Sequence, residues 1–373
     1  MTASVPRSRV RRLALRVTVS VATAALLLVL LELAARALWT DQYDLPNGRT
    51  PVAVTARAQT TRMHPPGFRM TMRADGIYRD GGAVRFRTDA RSAVLGHAPD
   101  AARELPPPWL ALGGSTTECA LVPEGRRWPD LLAGPTANFG VSGNTCGNSL
   151  ANLVSLLPLA PQRVLLMHAY NDVLAFVRQG EALDLANHDG GPIDLYATER
   201  PRGWFAGSRL LRFVTHVRAE WSGRFYLAHY QRFVAQQATM PWLADESFEL
   251  VAALLDKVLL PQRTAVLTEI ARRCAEAGAE LVLLTQPHSY AATGLAGPDL
   301  RTSLCWQGQK LRFAHCARLL DAVNDHTRTL GARLGVTVKD VAGAFDTRAA
   351  AALFYDQVHY TPEGCQVVAD ALR

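Results

Sequence analysis

Trp109-Leu110-Ala111-Leu112-Gly113-Gly114-Ser115-Thr116-Thr117 carries an apolar run straight into two glycines and a serine. A short apolar run bounded by turn residues predicts a buried strand. A serine at the carboxyl end of such a strand stands where open α/β sheets bind ligands. The glycines permit a tight turn and clear space for a substrate carbonyl. The same residues also suit a plain turn that caps a helix, so this segment alone does not establish chemistry.

Working outward, Pro106-Pro107-Pro108 marks a change of pattern. Residues 40–107 are rich in Pro, Gly, Arg and Asp, with one alternating stretch at 83–88, and read as a linker and strand-bearing preface. Beyond them, apolar runs at 109–112, 137–139, 164–167, 281–285 and 336–341 alternate with helical segments. In 261–279, Val266, Leu267, Ile270, Ala271 and Cys274 fall on one helical face, and 311–334 repeats the pattern. Thr361 as N-cap and Pro362 at the first helical position sign a terminal helix. These elements predict an α/β fold over 108–373, a three-layer α/β/α arrangement on a five-stranded parallel sheet. Residues 173–260 break the alternation and read as an insertion, with Trp204, Phe205, Phe213, Trp221, Phe225, Tyr226, Trp242 and Phe248 among its aromatics. Those rings suit either a helical insertion with ordinary core packing or a lid over substrate.

The formal net charge is +7, but Arg7, Arg9, Arg11, Arg12 and Arg16 supply five of those charges and leave +2 for the rest. A body so nearly neutral has no phosphate-binding footprint, and a nucleic-acid partner is excluded from the reading. The arginines precede an uncharged run at 17–31, flanked by further apolar residues. Residues 13–35 as a helix span about 34 Å, enough for a hydrocarbon core of roughly 30 Å when Arg16 snorkels. Residues 1–39 are therefore expected to be a cytoplasmic basic tail and a transmembrane anchor, with everything after them exported. Ala35-Arg36-Ala37 also fits a cleavage site, so a cleaved signal peptide is the alternative. Export would place Cys119, Cys146, Cys274, Cys305, Cys316 and Cys365 in an oxidising compartment, with Cys305–Cys316 the first local pair expected to bridge. No cysteine or histidine spacing suits zinc, and neither a metal nor a cofactor is expected.

Four further segments fall on the edge where Ser115 lies. Asn138-Phe139-Gly140-Val141-Ser142-Gly143-Asn144-Thr145 can aim a backbone N–H at an oxyanion, or simply begin a helix capped by Ser142 or Asn144. His168-Ala169-Tyr170-Asn171-Asp172 offers a side-chain amide, or an Asx turn; His168 reads as a packed core residue. Tyr355-Asp356-Gln357-Val358-His359 holds the chain's only Asp-x-x-His, a spacing that lets the carboxylate orient the imidazole. Gln286-Pro287-His288-Ser289-Tyr290 ends the fourth run, where His288 or Tyr290 either lines a pocket or sits in an ordinary loop.

Together these blocks resemble the SGNH, or GDSL-type, serine hydrolase family, in its membrane-anchored Gly-Gly-Ser-Thr variant. The resemblance runs from Trp109 to Arg373 apart from the insertion. It implies a flavodoxin-like fold with Ser115 as nucleophile, His359 as base and Asp356 as its orienting carboxylate. It further implies an oxyanion hole from Ser115 N–H, Gly143 N–H and the Asn171 side chain. Gly114 stands where the family often has aspartate, and Ala169 where glycine is usual. The activity implied is an esterase acting on a small-molecule, glycan or lipid ester in the cell envelope. An O-acyltransferase to an envelope polysaccharide and a non-catalytic glycan-binding protein are the alternatives. A dinucleotide enzyme is excluded, because no G-x-G-x-x-G follows a strand.

Overall fold

The computed structural model describes residues 7–38, 62–64, 66–96, 109–186, 207–211, 213–214, 217, 225–295, 298–345 and 350–373. Trp204, Phe205 and Trp221 of the expected insertion lie outside these, as does most of the 40–107 preface before Arg62. The chain divides into two units, Met1–Leu45 with Tyr196–Ser222 and Pro46–Leu195 with Gly223–Arg373.

The smaller unit is built on α1 (Arg7–Leu38), whose stretch Leu15–Leu38 is long and apolar enough to cross a membrane. Leucines and valines along it face outward rather than into protein. Near its carboxyl end Glu32 accepts from Ser208 Oγ at 2.8 Å and from the N–H groups of Arg209 and Leu210 at 3.0 and 2.9 Å. The carboxylate thus satisfies the free donors of a helical start at residue 209.

The larger unit opens with an antiparallel ribbon of β1 (Arg69–Arg73) and β2 (Ala83–Arg87). The expected stretch at 83–88 is the second of these strands. There follow β3 (Trp109–Gly113), α2 (Ser115–Glu118), β4 (Thr136–Asn138), α3 (Cys146–Leu156), β5 (Arg163–Met167) and α4 (Tyr170–Gln179). Helices α5 (Phe225–Ala238), α6 (Asp245–Leu254) and α7 (Leu260–Glu276) lead to β6 (Glu280–Leu284). A small ribbon, β7 (Cys305–Trp306) with β8 (Gln309–Lys310), precedes α8 (Phe313–Leu334), β9 (Thr337–Lys339), α9 (Ala350–Leu353) and α10 (Pro362–Ala371).

The five expected runs pair as one parallel sheet in the order β4-β3-β5-β6-β9. Side chains alternate across it, because successive Cβ atoms on a strand point to opposite faces. Leu110, Leu112, Val164, Leu166, Leu281 and Leu283 face α3, α7 and α8, while Ala111, Leu165, Met167, Val282 and Leu284 face Trp128, Phe354 and α10. Both faces are covered, which is why each strand reads as a continuous apolar run. Val173 and Phe176, inside the expected 173–260 insertion, lie on α4 and are buried in the same core. Phe248 is likewise fully buried there, whereas Trp242 is 50% exposed and Phe213 of the smaller unit 38%.

Leu166 is 2% exposed at the centre of β5, so Leu166→Ala should cost about 2–5 kcal/mol of stability, measured as a lower urea midpoint with an unchanged slope.

Candidate active site

Strand order positions the site. β3 pairs with β4 on one side and β5 on the other, so the connections after β3 and β5 leave in opposite directions and open a crevice at the carboxyl edge. Ser115 begins α2 directly after β3, and Asn171 lies in the first turn of α4 after β5. A Cβ on Gly113 would lie 2.2 Å from Thr117 Oγ1, and one on Gly114 would lie 2.3 Å from Asn171 Nδ2. A side chain at Gly114 would displace the Asn171 amide from this place.

The Asp-x-x-His segment enters the same crevice from the loop before α10. His359 Nε2 is 2.6 Å from Ser115 Oγ, across 244 residues of sequence, and His359 Nδ1 is 2.6 Å from Asp356 Oδ2. Asp356 is fully buried, and its Oδ1 accepts from the N–H groups of Val358 and His359 at 2.9 and 2.8 Å. Ser289 Oγ donates to the Asp356 carbonyl at 2.7 Å, and the Tyr355 ring stacks on the imidazole at 5.5 Å and 8°. Thr361 caps α10 as expected, accepting from Gly364 N at 3.2 Å.

Burial alone would raise the Asp356 carboxyl, but the adjacent His359 charge and the hydrogen bonds from its imidazole and two N–H groups outweigh it and hold it below the usual range. Burial alone would likewise lower His359. The Asp356 charge and hydrogen bond, with a further contribution from Glu118, instead raise it above the ordinary histidine value. With Nδ1 turned to a carboxylate, Nε2 is the nitrogen free to take a proton from the serine.

Gly143 has φ +79°, a backbone conformation that suits glycine. Asn171 Nδ2 donates to the Asn144 carbonyl at 2.9 Å, which joins the 140–144 loop to the end of β5. Ala169 is buried at the start of α4, with φ −153° and ψ −59°. Gln286 at the end of β6 braces that turn, its Oε1 accepting from Ala169 N at 2.8 Å and Tyr170 N at 3.0 Å. Behind Asn171, buried Asp172 accepts from Cys146 N at 2.9 Å and from the buried Arg263 guanidinium. Helix α3 is capped by Thr145 through a reciprocal pair with Asn148, not by Ser142 or Asn144.

Other residues that drew attention in the sequence have structural partners. His168 is buried against Ser149 Oγ at 2.7 Å, and burial pushes it down to about 4. His288 turns to Asp321, 3.0 Å away, and the buried Tyr290 donates to the Thr302 carbonyl at 2.8 Å. The expected Cys305–Cys316 bridge is not formed. Cys305 Sγ points toward the Ser303 carbonyl and Gln237 from a short strand, while Cys316 is buried in α8 toward the Leu311 carbonyl, and all six cysteines are free thiols. Cys119 and Cys365 meet in the core behind the site with their sulfurs 3.7 Å apart.

Sequence reasoning passed over Gln286, Asp172 and Glu118. Asp172 carried a signal, since a carboxylate beside Asn171 at a strand end needs a buried partner once the strand is read as covered. That partner, Arg263, is 91 residues away and carries no mark of its own.

A profile of the GDSL-like Lipase/Acylhydrolase family matches residues 111–367. No curated protein sequence matches the chain. Among solved structures, an alpha/beta hydrolase enzyme from the metagenome of Lake Arreo, Spain, is similar at 18% identity, covering 72% of this chain and 94% of that one with a TM-score of 0.38. An acetylxylan esterase from Geobacillus stearothermophilus is similar at 15% identity, with coverages of 71% and 91% and a TM-score of 0.35. A putative GDSL-like lipase from Parabacteroides merdae is similar at 13%, with 70%, 92% and 0.39.

Removing one member of a buried ion pair leaves the other charge without compensation. Asp172→Ala should therefore cost about 3–5 kcal/mol in chemical denaturation, and adding Arg263→Met should recover part of that loss.

Proposed function

The chain belongs to the GDSL-like lipase/acylhydrolase family, and from that premise we propose that it is a serine esterase with Ser115 as nucleophile, His359 as general base and Asp356 as the carboxylate that orients the base. The observation that carries this reading is the unbroken chain of two 2.6 Å contacts from Asp356 through His359 to Ser115 at the carboxyl edge of the sheet. His359 Nε2 takes the Ser115 proton as Oγ attacks the ester carbonyl. The tetrahedral oxyanion is met by the N–H groups of Ser115 and Gly143 and by Asn171 Nδ2, which exchanges its bond to the Asn144 carbonyl for one to substrate. His359 returns the proton to the departing alcohol. Water, activated by the same imidazole, then releases the acid.

The apolar Leu15–Leu38 helix, preceded by basic residues, supports a membrane-anchored protein with a cytoplasmic amino terminus and the Ser115 domain on the far side. In that setting the substrate is an acylated glycan or a lipid ester of the envelope.

Short-chain aryl esters and acetylated sugars incubated with the protein test the reading. The wild type should release the free acid and label at Ser115 with a fluorophosphonate, while Ser115→Ala should do neither. Asn171→Ala should lose on the order of 100- to 1000-fold in turnover. A folded protein that the fluorophosphonate leaves unlabelled would overturn the assignment.

The pH dependence has a definite sign. The base works only when neutral, and His359 is raised, so activity is present at high pH and falls as pH drops through a value above about 6.5. Asp356→Asn removes the charge that raises it. The acid limb of kcat/KM should then move to lower pH and the plateau should fall by on the order of 10,000-fold.

A further inference from the structure

We propose that Glu118 is a positioning residue for this reaction: its buried carboxylate clamps the 140–144 loop, and with it Gly143, against the turn that carries Ser115. The inference rests on the esterase reading of Ser115 and His359.

Glu118 is the last residue of α2, three positions after Ser115, and it is fully buried. Its N–H donates to the Gly114 carbonyl at 3.0 Å, so its backbone is fixed to the nucleophile turn. The loop lies flush on this turn. A Cβ on Gly140 would come within 2.3 Å of Glu118 N. Asn138 ties the two together on the backbone side, its Nδ2 donating to the Thr117 carbonyl at 2.9 Å and its Oδ1 accepting from Gly140 N at 2.9 Å. On the side-chain side Ser142 Oγ donates to Glu118 Oε2 in a very short hydrogen bond.

Ser142 directly precedes Gly143, whose φ of +79° makes the direction of its N–H depend on where the loop is held. A glycine without such a tether samples many directions, and an oxyanion donor is effective only when preorganised. A neutral side chain could hold the loop at less desolvation cost than a buried carboxylate. The Glu118 charge contributes, after Asp356, to raising His359.

Among the described residues, these groups surround the imidazole. Asp356 and Ser115 contact it, Tyr355 stacks on it, and Tyr78 and Tyr230 pack on Tyr355. Burial pushes all three phenols up, so they remain neutral where His359 titrates. Beside Glu118, His64 brings Nε2 within 2.8 Å of Oε1. His64 itself is wedged edge-on against Phe86 of β2 at 5.0 Å, which links the preface to the site.

The test follows the second-order rate of fluorophosphonate labelling of the full-length protein against pH for wild type, Glu118→Gln and Ser142→Ala. In Glu118→Gln the plateau rate should fall by on the order of 100-fold, as expected of a misplaced donor, and the acid limb should move to lower pH. Ser142→Ala should lower the plateau and leave the limb in place. If Glu118→Gln does not fold, Glu118→Asp serves: it keeps the charge on a shorter arm, so the limb should stay and the plateau fall. A Glu118→Gln profile that matches wild type in limb and plateau would overturn the proposal, and so would a lowered melting temperature with an unmoved limb. Wild type that takes no label at Ser115 would sink the esterase reading itself, a different outcome from either.

Discussion

Strand β3 is hydrogen-bonded to β4 on one side and β5 on the other, and the chain must change its direction of winding there. Connections that leave an edge in opposite directions cannot fill the space between them, so a crevice is obligatory at that point. The turn after β3 supplies a hydroxyl to one wall of it and the turn after β5 supplies an amide to the other. Gly114 is the joint between the walls, because a Cβ there would collide with the Asn171 amide. The Ser115 turn and the amide are in this sense one packed object.

Around the crevice the protein buries carboxylates and gives each one partners. Asp356 has two N–H groups and an imidazole, and Asp172 has the Cys146 N–H and Arg263. Glu118 has Ser142 and the His64 ring beside it. Buried charges of this kind are expensive unless satisfied, and a satisfied one fixes its neighbours tightly. Each lies within three residues of Ser115, Asn171 or His359, so the cost is concentrated where side-chain position matters most.

The sheet was legible in the sequence because strands covered on both faces leave a plain mark, a short apolar run ending in Gly or Asn. Observed strands differ from those runs by one or two residues at their ends, where the pairing partner and not the side chain decides the boundary. Ser115 and Asn171 each closely follow such a run, whereas Asp356 and His359 stood out only by their Asp-x-x-His spacing before the terminal helix. Glu118, Gln286 and Arg263 were not legible. Their meaning comes from contacts 24, 117 and 91 residues away, and local pattern carries no information about such partners. Cys305 and Cys316 misled because separation in sequence says little about where two sulfurs point once one sits on a strand and the other inside a helix.

The separation of 244 positions between the serine and the histidine also sets an order in time. A chain made from its amino terminus acquires the hydroxyl long before the imidazole, and α10 only after that. A nascent chain that has passed Ser115 but not reached His359 therefore holds the hydroxyl without the imidazole that contacts it. On the proposed reading such a chain has no general base for its serine, and acquires one only when the turn before α10 docks.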